Sequence, residues 1–446
     1  MKQHTRVAFL SEHASPVALL GGQDAGGQNV YVDEVSRNLG ALGYAVDVFT
    51  RCGQPDAPEI VEWAPNVRVI NVKIGPPRFL LKDDLWPLMP PFRDAIEQFA
   101  AANRLRYSVI HGNFWMSGWV AAQLRRRLNA PAVQIFHAMG MTKRRHQGQA
   151  DTSPDERIAI ERTIVRQADR FIAQCPAERD ELVQSYGAKP ERVALIPSAV
   201  NTQRFRPLPM AEARTLLNLP ADEFIVTYVG RMVRRKDVRN VVRAIALLVE
   251  RARADTTLPR VRFLIVGGES AAPDREITPE IGALQDLGAE LGISEYLDFA
   301  GARPPDELYR YYSAGNVAVT TPWYEPFGLT PLEGMACGRP VIGSAVGGIT
   351  FTIQDGVTGF HVPPRDPAAL AGKLYLLMTA EQLRRQMGQA ARARVEQEFT
   401  WETVGLRTAA LYQSLIQERR LEAPARPRAV VPAAGPYLGG GTGGAG

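Results

Sequence analysis

The chain has 446 residues and a formal charge of +5, from 52 Lys and Arg against 47 Asp and Glu. That length exceeds what one hydrophobic core usually supports, roughly 150 residues per domain being the soft rule, so two domains of about 200 residues are expected. At 45% hydrophobic and 22% charged the composition excludes a disordered body, and three widely separated cysteines (Cys52, Cys175, Cys337) exclude a disulfide framework or a C-x-x-C zinc site.

From the start, short β-branched runs alternate with helix-length amphipathic segments, the pattern of parallel sheets with crossover helices. The predicted strands of the first half are Arg6–Leu10, Ala45–Thr50, Val67–Val72, Ser108–Asn113, Ala132–His137, Arg170–Gln174 and Val193–Pro197, with helices over Asn29–Leu42, Pro154–Gln167 and Ala177–Tyr186. "RVAFLSEH" is too short an apolar run for a secretory segment, and no stretch nears the ~18 apolar residues of a membrane helix, so a cytoplasmic location is the expectation. Gly26 and Gly27, ahead of the first helix, let backbone amides approach a phosphate closely. Their spacing is not G-x-G-x-x-G, and no Gly-Lys-Ser/Thr loop follows, which disfavours a dehydrogenase or an ATPase. His137 ends a strand and so stands at a cleft position. Scattered arginines without stacking aromatics, Arg125 to Arg127 among them, argue against nucleic-acid binding. Anionic small molecules and peripheral contact with an acidic membrane surface stay open.

After the Pro-rich linker Arg206–Pro209 the pattern restarts, with strands at Phe224–Gly230, Val261–Gly267, Tyr296–Ala300, Val317–Thr321 and Pro340–Ser344. The expected organisation is α/β: two Rossmann-like doubly wound domains, 1–205 and 206–400, facing a cleft. A helix at 401–420 and a Pro-, Ala- and Gly-rich tail at 421–446, read as disordered, complete the chain. Arg231 and Lys236 follow directly on the strand "FIVTYVG" and can reach into the cleft. Glu325 and Glu333 bracket a turn in which Pro331 suits the first turn of a helix, so amides around Gly328 and Leu329 face an anion while the two carboxylates accept from hydroxyl pairs. By themselves, such residues fit equally a helix terminus and a solvated basic loop.

The strings "VGRMVRRKD" and "TPWYEPFGLTPLEGMACGRPVIGS", with "GGI" after them, resemble the retaining nucleotide-sugar glycosyltransferases of family 4, over about Arg6 to Trp401. The resemblance implies the two-domain GT-B fold and an NDP-hexose donor, UDP-glucose or UDP-GlcNAc. Arg231 and Lys236 would hold its phosphates, Glu333 its ribose and Glu325 its hexose beside the amides of Phe327 and Gly328. His137 would lie near the transferred carbon, and base contacts would fall around Arg303. Lys82 and Arg157 match positions that hold an acceptor's phosphate in relatives acting on inositol phosphate or sugar phosphates, and His111, with Phe114, would line the acceptor side. Ala138 and Phe114 depart from the inositol-phosphate pattern, where threonine and tyrosine stand, and sucrose-phosphate synthases are an equally similar branch. Retention without an enzymic nucleophile is implied, with no metal or other cofactor. Transfer to a lipid or polysaccharide, a non-catalytic nucleotide-sugar-binding protein, and an epimerase or phosphorylase on the same fold are the competing readings.

Overall fold

A computed structural model describes residues 5–17 and 26–422, to which every structural statement refers. The expected tail thus lies outside the described residues, apart from Leu421 and Glu422, which end a helix. The first sheet holds β1 (Arg6–Leu10), β2 (Ala45–Arg51), β3 (Ile60–Ala64), β4 (Val67–Val72), β5 (Val109–Asn113), β6 (Ala132–Ile135), β7 (Arg170–Ala173) and β8 (Val193–Leu195), in the order β3-β4-β2-β1-β5-β6-β7-β8. The second holds β9 (Phe224–Val229), β10 (Val261–Val266), β11 (Leu297–Gly301), β12 (Val317–Thr320), β13 (Val341–Ser344) and β14 (Gly359–Val362), in the order β11-β10-β9-β12-β13-β14. All described neighbours are parallel except β3 with β4. These are two doubly wound Rossmann-like units, and the central strands are continuous apolar runs because helices cover both of their faces.

Two strands lie outside the expected set. β3 is a half-exposed antiparallel edge and β14 a four-residue strand opened by a glycine, so neither carries the buried β-branched run that marks the others. The crossover helices bury one stripe each. In Val238–Ala254 the residues Val238, Val241, Val242, Ile245, Leu248 and Val249 face the second sheet at helical spacing while Arg243, Arg251 and Arg253 point away.

The helix Trp401–Glu422 crosses back onto the first sheet, where Trp401, Val404, Tyr412 and Leu415 join the core of Val7, Phe9, Val35 and Ile172. Gly405 allows the close approach, since a Cβ there would sit 2.7 Å from Asn38 Cβ. Between Leu195 and Phe224 we propose residue 206 as the boundary of the two units.

Candidate active site

In the second sheet β9 and β12 are neighbours at the point where strand order reverses, and doubly wound sheets bind ligands beyond the carboxyl ends of such strands. β9 leads into Arg231–Lys236 and β12 into the loop carrying Glu325. Lys236 Nζ donates to Glu325 Oε2, with the lysine only 8% exposed, and Arg235 Nη1 stands 3.8 Å from the same oxygen. Burial alone would raise the Glu325 pKa, but Lys236 and then Arg235 outweigh it and hold the carboxyl below its ordinary value.

Glu333 is the fifth residue of the helix Leu329–Ala336, past the first turn where it was expected, and accepts from Tyr312 Oη at 2.8 Å. Burial pushes its pKa up to about 7, against that hydrogen bond and the charges of Lys236 and Arg204. Lys236 therefore acts on both acids. Arg231 is exposed at the same strand end, with no side-chain hydrogen bond or ion pair among the described residues. Gly328, at φ +90°, turns the chain into the Glu333 helix, and Phe327 is buried beneath. Gly347 and Gly348 brace this loop: a Cβ on Gly347 would lie 2.2 Å from the Glu325 carbonyl oxygen, and one on Gly348 2.3 Å from that of Phe327.

Across the cleft, Gly26 N–H donates to Asn29 Oδ1 at 3.0 Å, while Asn29 Nδ2 donates to the Ser15 carbonyl at 3.0 Å, fixing the start of the helix Gly27–Ala41. A methyl on Gly27 would come within 3.0 Å of Leu329 Cδ1, so the glycine turn of the first domain meets the helix start of the second. His137, half-buried after β6 with φ +60°, lines an interdomain cavity of about 350 Å³ together with Arg145, Glu178, Glu181, Tyr324 and Gly347. Asn113 gives its amide to the Leu10 carbonyl, so the Oδ1 it presents 3.1 Å from His137 Nε2 is an acceptor and that nitrogen carries the hydrogen. Burial first, then His111 and His13, drive the His137 pKa down to about 3, leaving a neutral imidazole.

Three sequence expectations change here. His111 is wholly buried, with Nδ1 2.5 Å from Tyr412 Oη on the returning helix, and presents nothing to the cleft. Arg157 is 1% exposed: Nε bonds Glu161 Oε1 at 2.8 Å, Nη1 bonds Ser153 Oγ at 3.0 Å and Nη2 bonds the Ala138 carbonyl at 2.5 Å, so it braces the His137 loop from below. Phe114 is buried under that guanidinium, with the ring centre 5.0 Å away. Lys82 is one-third exposed in the 3₁₀ stretch Lys82–Leu88, its Nζ 3.7 Å from Asp83 Oδ2. Arg303 gives Nε to Tyr311 Oη at 2.6 Å and Nη1 to the carbonyls of Ala271 (2.9 Å) and Ala302 (2.8 Å), fastening the loop after β10 to the end of β11. Sequence reasoning missed Arg235, Tyr312, Asn113 and the stack of His146 on Tyr324, 5.1 Å apart and 9° from coplanar across the domains. Only the aromatic beside Glu325 offered a signal for the last of these.

Two family models match in tandem: "Glycosyl transferase 4-like domain" over residues 26–199 and "Glycosyl transferases group 1" over residues 210–394. The D-inositol 3-phosphate glycosyltransferase of Acidothermus cellulolyticus is 36% identical over 94% of this chain and 93% of its own. That of Streptomyces coelicolor is 36% identical over 93% of each. The sucrose-phosphate synthase of Thermosynechococcus elongatus superposes with a TM-score of 0.81 at 36% identity, over 93% of this chain and 100% of that one. With both units matched in order and a site at the facing strand ends, the chain belongs to the family 4 glycosyltransferases of GT-B fold.

Proposed function

We propose that the protein transfers a hexosyl group, with retention, from an NDP-sugar such as UDP-glucose or UDP-GlcNAc to a small phosphorylated sugar or cyclitol, as a cytoplasmic enzyme. The observation that carries this is Lys236 held against Glu325 and acting on Glu333 at adjacent strand ends, with Arg231 beside it. A diphosphate seated there meets guanidinium and ammonium groups together with the amides of Gly26, Gly27, Gly328 and Leu329, a set that stabilises charge developing on a leaving group. Displacing the Lys236 ammonium toward phosphate frees Glu325 to accept from hexose hydroxyls, while Glu333 accepts from the ribose. Arg303 shapes the base pocket through the backbone it holds.

The bond from the anomeric carbon to the phosphate oxygen breaks with its electron pair leaving on the diphosphate. The acceptor oxygen bonds to that carbon from the same face and its proton passes to a diphosphate oxygen. Glu325 is occupied by the hexose hydroxyls and is not used as a nucleophile, and neutral His137 contributes a dipole near the transferred carbon. The names of the relatives that are 36% identical favour a phosphorylated acceptor. Because Arg157 is enclosed, Lys82 and the exposed Arg145 are the basic groups for its phosphate.

A thermal-shift panel of NDP-sugars tests donor choice, since a ligand at 100 times its Kd stabilises by about 2.7 kcal/mol. With the best donor, Glu333→Ala is expected to raise donor KM and Lys236→Ala to lower kcat by about 10²–10³. Unchanged turnover in both variants would overturn the assignment.

A further inference from the structure

Away from the cleft, a second cavity of about 780 Å³ lies between the linker, the turn Cys337–Pro340 and the helix Glu381–Glu398. Five guanidinium groups line it, and three of them, Arg214, Arg339 and Arg384, have no carboxylate at ion-pair distance among the described residues. Arg214 bonds the carbonyls of Ala314 (3.0 Å) and Ala221 (2.6 Å) and Asn316 Oδ1 (2.7 Å), and Arg384 bonds the carbonyls of Leu377 (2.5 Å) and Met378 (3.4 Å). These are neutral acceptors. Arg339 has no side-chain hydrogen bond or ion pair among the described residues, and its Nε is buried and unpartnered. The acids that share the lining are ion-paired with other arginines: Glu223 with Arg262 and Arg260, and Glu381 and Glu396 with Arg385 and Arg392, which also line the cavity. Asp222 stands exposed at the rim.

Holding a partly buried cation without a carboxylate in contact is unfavourable. Here burial drives the Arg339 pKa down to about 10, against Cys337 and with Arg214 and Arg384 adding repulsion, while Glu223 and Asp222 act on Arg214, and Glu381 on Arg384, only through space. An oxyanion would replace the missing carboxylate, accepting bidentate bonds from Arg339 and the unused N–H groups of its neighbours. The volume suits a small molecule rather than a bare ion.

We propose that Arg339, Arg214 and Arg384 form a second anion site, distinct from the donor cleft, that takes the phosphate group of a small phosphorylated metabolite. The turn carrying Arg339 also ends the helix Leu329–Ala336, whose other residues include Glu333, so the occupant sits one short helix from the donor acids.

The test is calorimetric titration of the full chain with inorganic phosphate and with glycerol 3-phosphate, in wild type and Arg339→Gln. At least tenfold weaker phosphate binding in the variant, with unchanged donor Kd, is expected. Tighter binding of glycerol 3-phosphate than of phosphate would support a phosphoester occupant, and equal binding a free oxyanion, each at this site. Equal phosphate affinity in wild type and variant, or no saturable binding, would overturn the proposal. Should Arg339→Gln fail to fold, Arg384→Gln carries the same comparison. In the wild type, phosphate should also slow phenylglyoxal labelling of the Arg339 peptide, and labelling insensitive to phosphate would count against the site.

Discussion

At the scale of single residues, the two glutamates of the site are in opposite ionisation regimes. Glu325 is held as a carboxylate by Lys236, while burial lifts Glu333 to about 7, well above its ordinary 4.5. Between those two pH values the folded chain keeps a proton on Glu333 that the unfolded chain has lost, so this residue's contribution to stability falls as pH rises through that window. If Glu333 accepts from a pair of donor hydroxyls as a carboxylate, as proposed, donor binding expels that proton. Donor Kd should tighten by about tenfold from pH 6 to pH 8, as a site of pKa near 7 goes from mostly protonated to mostly ionised. Glu333→Gln should bind donor weakly and without that slope, a control needed because Glu178, lining the interdomain cavity, is also pushed up to about 7. Neutral His137 adds nothing to the profile over this range. A wild-type donor Kd independent of pH would remove Glu333 from the hydroxyl contacts. The strand-end positions of Lys236 and Glu325 were legible because spacing and motif agree, while Glu333 lies one residue beyond the first turn of its helix. His111 and Arg157 were misread because residue type does not reveal burial: the partner of His111 is Tyr412, 301 residues away.

At the scale of elements, Gly347 and Gly348 pack closely against carbonyl oxygens of the loop carrying Glu325, and Gly348 N–H donates to the Glu325 carbonyl at 3.1 Å. Alanine at Gly348 would put Cβ 2.3 Å from the Phe327 oxygen and 2.4 Å from its Cα, and backbone cannot yield as a side-chain tip does. The segment from Glu325 to Gly328 must then shift, taking the Glu325 carboxylate and the helix-opening amides with it. Gly348→Ala should raise donor KM at least tenfold with a smaller effect on the acceptor KM. The matched control is Gly372→Ala, inside the helix Pro367–Thr379 with nothing within 4 Å of an added Cβ, expected to stabilise by about 0.5–1 kcal/mol without touching kinetics. Equal kinetics in the two variants would show that the brace is not needed. The sequence shows "GGI" at 347–349, but what Gly347 and Gly348 approach required the fold. Strands β3 and β14 escaped for a related reason, since an exposed edge and a four-residue strand take their conformation from a neighbour more than from their own pattern.

At the scale of the whole molecule, alternation of β-branched runs with amphipathic helices was enough to read two doubly wound units, because period and burial repeat over hundreds of residues. What joins the units was not readable, because the contacts, among them a cluster of Cys175, Val200 and Phe205 with Ile225, Leu332 and Phe399, link residues far apart in the chain. Cys175 Sγ bonds the Pro326 carbonyl at 3.4 Å, His146 stacks on Tyr324, Val200 N–H donates to the Phe399 carbonyl at 3.1 Å, and Gly27 faces Leu329. Relative motion of two such units is the default expectation. A donor whose diphosphate lies between the amides of Gly26–Gly27 and the cations at Arg231 and Lys236 adds contacts on both sides and shifts the population toward closure. Hydrogen exchange with and without the best NDP-sugar should therefore show slowing in residues 231–237 and 325–333 and also in residues 26–31, a segment of the other unit. Protection confined to the second unit would mean that the first contributes nothing to donor binding, and Gly26 and Gly27 would leave the site.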